Sequence, residues 1–361
     1  LTPIQPQLAE SNLKILEGAG PSTPSFNEFN PLFQRNRMAL QADLVVGGKD
    51  SQGNDFVFSG VYGKGSFSAG QFRYETEGFR ENNDQKKDIY NVFAQVSLSP
   101  KTSIQAEYRN TDSEFGDLPL RFDPANYTNN LRQNEQIESI RIGFRHAFTP
   151  NSEIIGNINY GDGEGRGKFD LDFTTTVQIL PPPFPPIPID GNHDVDVTVK
   201  EDGYLAEVRH LFRSDLFQLT GGIGYYAADS KTEIIETTTL GPPVPGTKIE
   251  ISTEENDIRH TNFYIYSLIN YPTNITWTVG GSADFLEGAI VDSDQFNPKL
   301  GLTWNPFPAT ALRTAVFRTI ERTLMSSQTI ELTQVAGFNQ FFDYGEGTDS
   351  WHYGIAVDQK F

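Results

Sequence analysis

The sequence contains no cysteine among its 361 residues. That absence excludes disulfide scaffolding, cysteine-based zinc and iron–sulfur centres, and thiol catalysis. Mean hydropathy is negative, at −0.43, and no run approaches the ~18 apolar residues that a membrane helix needs. The net charge of −19 argues against a nucleic-acid partner, because such partners are held by Lys and Arg on phosphates. Any insertion of this chain into a membrane must therefore use β-strands.

Six short polar segments predict hairpin turns. Each is rich in Gly, Pro, Asn, Asp or Ser, which supply a fixed φ, a positive φ or a local hydrogen bond. Longer polar stretches, from about ten residues near Arg80 to about thirty around Pro181, separate the successive hairpins. This alternation is typical of a barrel threaded up and down through a bacterial outer membrane. The predicted turns are 62–66, 99–102, 149–152, 212–215, 271–274 and 306–310.

The segments between the turns alternate in polarity with a period of two. In Ile104–Arg109, for example, apolar side chains occupy the even positions and polar ones the odd positions. We therefore predict an all-β fold: a transmembrane antiparallel up-and-down β-barrel of about 14 strands, or 16, with short periplasmic turns and long extracellular loops. A soluble β-sandwich also alternates, but many apolar positions near the strand ends are aromatic, which favours the membrane barrel.

The two phases of the strands predict two surfaces. Mixed charges on the polar phase either brace a narrow interior or line an aqueous path. Aromatic side chains at the strand ends predict the girdle at the lipid headgroups. The predicted lumen-lining residues are Arg73, Glu75, Gln105, Glu107, Arg109, Arg141, Arg145, Glu207, Arg209, Asp284, Lys299 and Arg313. The predicted girdle residues are Tyr74, Tyr90, Tyr108, Phe148, Trp277, Trp304, Trp351 and Tyr353.

The N-terminal part of the chain lacks the strand pattern. Residues 1–36 are predicted to be a periplasmic N-terminal segment, either a linker or a small plug, and residues 37–361 the transmembrane barrel. The chain starts at Leu1 without a signal peptide, so we expect a mature protein or an excised piece of one, located in the bacterial outer membrane.

Two loops share a local pattern of threonines followed by prolines. Thr174–Thr176 precedes the proline run at 181–186, and Thr237–Thr239 precedes the one at 242–245. Because threonine favours strands and polyproline forms a stiff extended tip, we expect two hairpins that continue beyond the bilayer and lie side by side.

The sequence offers little chemistry, and we predict no catalytic residue, no cofactor and no metal site. The glycine-rich segment 161–167 resembles a phosphate loop, but no helix follows to present its N-terminus to a phosphate. The five histidines are scattered. His260 near Asp257 and His193 near Asp194 leave a hydrolase at the barrel rim as an alternative.

Three segments resemble known families. Trp351–Phe361 is similar to the C-terminal strand by which outer-membrane barrels are recognised for assembly, although Gln359 departs from it. Residues 297–306, with 312–315 and Arg318, are similar to late strands of TonB-dependent receptors. Residues 26–33 and 334–342 resemble outer-membrane barrels that follow tetratricopeptide repeats.

Together these features predict an outer-membrane channel, porin-like, for passage or export of a polar solute or polymer. The alternatives are an uptake barrel like a TonB-dependent receptor without its plug, and a structural or adhesive barrel that binds partners through proline-tipped loops. The expected partners are membrane lipid, lipopolysaccharide and the barrel-assembly machinery. A periplasmic repeat domain or partner protein is a further expectation that the resemblance implies.

Overall fold

The computed structural model describes residues 36–119, 127–179, 181, 184–242, 245–288, 292–321, 329–331, 334–340 and 347–360. All but one residue of the predicted N-terminal segment, Phe361 and part of each proline tip lie outside these ranges. Within them, no helix is long and apolar enough to cross a membrane.

Fourteen strands form one antiparallel sheet in which each strand pairs with its sequence neighbours. This order confirms the up-and-down prediction, including its count of strands. Their bounds are β1 Arg37–Val46, β2 Gln52–Tyr62, β3 Gly65–Thr76, β4 Gln85–Ser99, β5 Thr102–Phe115, β6 Arg132–Thr149, β7 Ser152–Val177, β8 Ile187–Arg213, β9 Phe217–Leu240, β10 Gly246–Asn270, β11 Ile275–Glu287, β12 Asp292–Phe307, β13 Thr310–Ile320 and β16 Asp349–Gln359. Two short strands, β14 Gln334–Val335 and β15 Phe338–Asn339, pair only with each other.

The six predicted turns join β2 to β3, β4 to β5, and so on to β12 and β13, all on one side of the sheet. The connections on the opposite side are less uniform than predicted. That between β7 and β8 is confined to residues 178–186, because the expected loop of about thirty residues is mostly strand. The connection from β5 to β6 spans residues 116–131, and the longest, from β13 to β16, contains β14 and β15.

Strands β7 to β10 have 24 to 27 residues each. A tilted strand needs only ~9–11 residues to cross a bilayer, so these four strands project well beyond it. β8 and β9 stay paired to Gly191 and Leu240, close to both proline tips. This projecting sheet confirms the two adjacent hairpins predicted from the threonine and proline pattern.

The two faces of the sheet differ in polarity. One face, here called the interior face, buries polar side chains such as Gln95, Gln105 and Arg141. The other, the lipid face, exposes large apolar side chains such as Ile104, Ile142 and Val279. Because neighbouring strands place directly opposite residues on the same face, the pairing assigns every strand position to one face.

The predicted phase is wrong for β3. Phe72 and Tyr74 lie opposite the buried residues Ile89 and Lys87 and share the interior face. Arg73 therefore lies on the lipid face, where its Nε is 4.0 Å from Asp88 Oδ1. Glu75 lies on the same face, opposite Lys86. Aromatic side chains were taken as a sign of lipid contact, but the interior face also takes them.

The other predicted girdle residues are placed on the lipid face, and all of them are exposed: Tyr90, Tyr108, Phe148, Trp277, Trp304, Trp351 and Tyr353. Tyr74 is the exception, for the reason just given. The role of these rings at the headgroups stays a prediction.

The glycine-rich segment 161–167 lies within β7 and is not a loop. Its glycines take the interior face, while Asp162, Glu164 and Arg166 take the lipid face. The alternation of glycine and charge is thus a strand pattern, which explains why no helix follows.

A row of acidic side chains crosses the lipid face above the aromatic residues. Asp162 lies directly opposite Asp202, Asp202 opposite Asp229, and Asp229 opposite Asp257. Like charges placed directly opposite each other destabilise a sheet. In the next row outward each lysine has a carboxylate directly opposite on one side: Lys200 faces Glu164 and Lys231 faces Glu255. Lys231 Nζ donates to Glu255 Oε1 at 2.8 Å, which raises the pKa of Lys231 and lowers the pKa of Glu255.

We expect Asp202→Asn to stabilise the protein. It removes the charge that faces an aspartate on both sides, so the free energy of unfolding rises by about 0.5 kcal/mol. The measurement is urea unfolding of the protein in lipid vesicles at low salt, repeated at high salt, where screening shrinks the gain. Asp215→Asn, in the exposed turn after β8, is the control. An equal change in both variants would contradict the expectation.

Candidate functional site: the interior face and its in-folded segment

Buried ion pairs join neighbouring strands on the interior face. Arg141 Nη2 lies 2.8 Å from Glu107 Oε2, and both side chains are at most 10% exposed. Glu153 is shared, with Arg145 at 2.7 Å and Arg213 at 3.1 Å. Each charge is neutralised by a strand neighbour, as a buried charge requires. These pairs brace the wall of the barrel.

Ten of the twelve predicted lumen residues are placed on the interior face; Arg73 and Glu75 are not. The five on β5 and β6 belong to the wall just described. Four others contact a segment of the chain that the sequence did not predict to lie there: Glu207, Arg209, Lys299 and Arg313. Asp284 lies in a separate cluster with His260.

The segment lies in the connection between β13 and β16 and folds back over the interior face. We call residues 329–340 the in-folded segment; 329–331 and 334–340 are described. Thr329, Ile330 and Glu331 are at most 2% exposed. Since this connection starts on the side opposite the turns, the chain enters the barrel from the outer side.

Two charged residues of β8 hold the first part of the in-folded segment. The Glu207 carboxylate accepts hydrogen bonds from the Thr329 hydroxyl and from the Ile330 backbone N–H, the latter at 3.0 Å. Arg209 Nη1 donates to the Ile330 carbonyl at 2.8 Å. The buried backbone N–H and carbonyl of Ile330 are thereby both satisfied.

Side chains of strand β10 form hydrogen bonds with the next residue of the segment, Glu331. Glu331 accepts from Asn262 Nδ2 at 2.9 Å and from the Tyr266 hydroxyl at 2.6 Å. Further along, Lys299 Nζ donates to Gln340 Oε1 and to the Arg318 carbonyl. Hydrogen bonds therefore hold the in-folded segment at both ends, to β8 and β10 at one end and to β12 at the other.

The middle of the segment is the β14–β15 hairpin. Its two turn residues, Ala336 and Gly337, have φ values of 48° and 81°, the signature of the tight turn that suits strand twist. Val335 is fully buried and packs against Ala315 and Phe317 of β13. The hairpin is thus a packed element and not an extended strand of the barrel.

Glycines in the wall make room for this hairpin. A Cβ on Gly301 would lie 2.7 Å from the Ala336 Cβ, and one on Gly354 would lie 2.5 Å from the Phe338 ring. Arg313 closes over the turn, with Nη1 at 3.1 Å from the Gly337 carbonyl oxygen. The wall and the hairpin are therefore shaped to each other. The available sequence signal was a glycine between large apolar side chains, as at Leu300–Leu302 and Tyr353–Ile355.

His260 is not paired with Asp257, which lies on the lipid face. Instead its Nε2 is 3.0 Å from Asp284 Oδ1, and both side chains are 4% exposed. The other Asp284 oxygen accepts from Ser282 Oγ at 2.9 Å and Asn297 Nδ2 at 2.7 Å. His193 contacts Thr238 in the projecting sheet, with 3.0 Å between Nδ1 and Oγ1. The absence of an enzymatic role stays a prediction.

Metal ligands do not converge in the described ranges: no group of three or more His, Asp or Glu side chains there is arranged to hold an ion. The interior is instead a set of hydrogen bonds and ion pairs that pack one part of the chain against another.

A model of the TonB-dependent receptor-like β-barrel matches residues 82–349, most of the chain. The chain belongs to this family. The late-strand resemblance in the sequence is thereby confirmed, and the barrel is one of the bacterial outer membrane. The resemblance to barrels that follow tetratricopeptide repeats has no counterpart in this match and stays a prediction.

Solved receptors share the fold of this TonB-dependent receptor-like barrel at low identity. The siderophore receptor PiuA from Acinetobacter baumannii aligns with 91% of the chain at 10% identity and a TM-score of 0.60, over 55% of its own length. Pseudomonas aeruginosa FpvA, bound to an iron-loaded pyoverdine, aligns with 90% of the chain at 13% identity and a TM-score of 0.58, over 46% of its length. The chain therefore spans about half the length of these receptors.

A third structure is FpvAI in complex with pyocin S2, which covers 81% of the chain and 44% of the receptor at 13% identity, with a TM-score of 0.56. That receptor therefore binds a protein partner. No curated protein sequence matches the chain.

We expect Gly354→Leu to displace the hairpin, because its side chain overlaps the Phe338 ring at a cost of about 1–3 kcal/mol. The chain has no cysteine, so Val335→Cys gives a single buried thiol. In the Gly354→Leu background we expect maleimide to label this thiol roughly tenfold faster or more.

Gly165→Leu is the matched control, since nothing lies within 4 Å of a Cβ at Gly165. Equal labelling rates in the two glycine variants would show that the hairpin is not seated on Gly354.

Proposed function

We propose that the protein imports a ligand across the outer membrane as a TonB-dependent receptor does, and is not a passive channel. The observation that carries the proposal is the in-folded segment. It lies against the interior face of strands from β8 to β16 and is held by charged and glycine positions of the wall. A passive pore needs a permanent water-filled path, whereas here a folded segment occupies the interior face of these strands.

The family adds independent support. TonB-dependent receptors draw on energy delivered from outside the barrel. Such energy would be needed here to move the in-folded segment and open a path for the ligand. The chain spans about half the length of the matched receptors, so transport by the whole protein is part of this proposal.

For the ligand we propose a polar organic chelate of ferric iron. FpvA is bound to an iron-loaded pyoverdine, and PiuA is a siderophore receptor. The interior face here offers donors and acceptors of both charge signs, which suits a ligand rich in oxygen atoms. The proposed ligand is larger than a simple ion and would need the in-folded segment to move.

Uptake in cells tests the energy requirement. Cells that carry the natural full-length gene should accumulate radiolabelled ferric chelates, and a protonophore should abolish the accumulation, because an energised receptor stops when its supply collapses. Cells with the gene deleted provide the background. Accumulation that continues at an unchanged rate with the protonophore present would favour the channel.

Conductance in planar bilayers tests the packed interior. The unaltered protein should show no stable ohmic openings. The double variant Glu207→Ala with Arg209→Ala removes both β8 contacts to residues 329 and 330 without changing the net charge, so we expect frequent openings. Loss of a few charged hydrogen bonds of about 1.5–3 kcal/mol each is enough to free such a segment.

The control for this test is Glu107→Ala with Arg141→Ala, which removes an equally buried pair that joins β5 to β6. Stable openings of the unaltered protein, or the same openings in both double variants, would contradict the proposal.

A further inference from the structure

Strand β10 has an unpaired edge where it projects beyond the rest of the wall. It pairs with β9 from Gly246 to Ile269, but with β11 only from Arg259 onward. Within the described ranges, residues 246–258 therefore have a neighbouring strand on one side only. Since alternate residues of a strand point their N–H and C=O to opposite sides, every second residue along ~40 Å points both groups away from β9. We call residues 246–258 the open edge.

The outer part of the open edge is exposed on both faces of the sheet. Every residue from 246 to 255 is exposed, and Ile249 and Ile251 retain 61% and 67% of their accessible surface. On β9, which has a strand on both sides, Ile234 and Ile235 are half-buried. Both the backbone and the side chains of the open edge are therefore accessible to another chain.

The open edge lacks the devices that usually keep a sheet edge from pairing. It contains no proline, its pairing with β9 runs without a bulge, and Lys248 is its one lysine. The other edge of the projecting sheet, on β7, differs. There Asn130 Nδ2 donates to the Asp170 carbonyl, so the connection between β5 and β6 covers part of that edge. Of these two edges, the one on β10 is the better suited to receive a strand.

The two faces of the open edge differ in chemistry. Ile249 and Ile251 share the face of Asp257, which continues the lipid face. Glu250 and Glu254 lie on the opposite face, which continues the interior face. A strand added at this edge places its residues alternately beside the two sets. The matching partner therefore alternates apolar β-branched side chains with basic ones.

The charge of this region favours a basic partner. Glu236 of β9 lies directly opposite Glu250, and a like-charged pair in this position destabilises a sheet. The open edge carries four carboxylates against one lysine, whose Nζ lies 2.5 Å from Glu250 Oε1. A cation supplied from outside would relieve this excess of negative charge.

A second copy of the chain fits the open edge poorly. Copies in one membrane share one orientation, so their β10 strands point the same way along the membrane normal. Two open edges could therefore meet only in the parallel arrangement, which is the less stable one. Both edges would also carry the same excess of carboxylates.

We propose that the open edge binds an extended basic segment of another protein by strand addition. The backbone of the partner pairs with the free N–H and C=O groups of residues 246–258 and provides the affinity. Its basic side chains lie beside Glu250 and Glu254, and its apolar side chains beside Ile249 and Ile251. This inference does not rest on the proposed transport function, because the open edge lies outside the interior and the in-folded segment.

The test is binding of a labelled synthetic peptide to the full-length protein in detergent, measured by fluorescence anisotropy. The peptide alternates lysine with valine over a length that matches the open edge. Two derivatives carry N-methyl groups on all lysines or on all valines, which removes one set of N–H donors and leaves the charge unaltered. Because the two sets point to opposite sides of a strand, one derivative should bind roughly tenfold more weakly than the other.

Substitutions in the protein test the charge match. Glu250→Gln with Glu254→Gln should lower the affinity for the unmethylated peptide about fivefold, since two exposed ion pairs are lost. Asp50→Asn with Glu77→Gln is the control, because it removes the same charge from exposed connections away from the projecting sheet and should leave the affinity unchanged.

Equal binding of the two methylated peptides, or equal losses in the two double variants, would show attraction by charge alone and overturn the proposal. Failure of the unmethylated peptide to bind would overturn it as well. So would a dimer of the unaltered protein that Ile251→Lys dissociates, because a second copy would then occupy the open edge.

Discussion

Backbone hydrogen bonding in a medium without water is the constraint on which the rest of this structure depends. Inside lipid every N–H and C=O must find a partner in the protein. Pairing strand to strand, with tight turns on one side, meets that need over most of the wall. Once the register is fixed, each side chain is committed to the interior or to lipid, because the period of a strand is two. The polar wall that receives the in-folded segment and the apolar face on the other side are both consequences of one register.

Much of the fold could be predicted from the sequence because its signals are local. Turn residues mark the hairpins, and the alternation of segments such as Ile104–Arg109 assigns the faces correctly on β5. The alternation predicts the wrong faces on β3, where Tyr74 is expected to face lipid and Arg73 and Glu75 the interior. Interior positions accept aromatic rings and the lipid face of β3 carries charge, so polarity alone does not identify the lipid side. The pairing of β3 with β4 decides the assignment.

The in-folded segment could not be predicted, since the residues that receive it are distant in sequence. Glu207 and Thr329 are 122 positions apart, and Asn262 and Glu331 are 69 apart. No period or motif relates them. The sequence shows Gly301 and Gly354 as glycines between apolar neighbours. Only the structure shows why a side chain is excluded there, because the hairpin packs on both positions. The pairing of His260 with Asp257 is wrong for the same reason. His260 contacts Asp284 on the neighbouring strand, whereas Asp257, which is closer in sequence, lies on the opposite face.

The length of β8 and β10 has a mechanical consequence. A paired strand is stiff along its axis, so a push at its tip is transmitted along the strand with little loss. β8 carries Glu207 and Arg209, β10 carries Asn262 and Tyr266, and both strands extend far into the exterior. The residues that hold the in-folded segment and the outermost surface of the protein therefore lie on the same continuous strands, so no separate element has to link the outer tips to the interior.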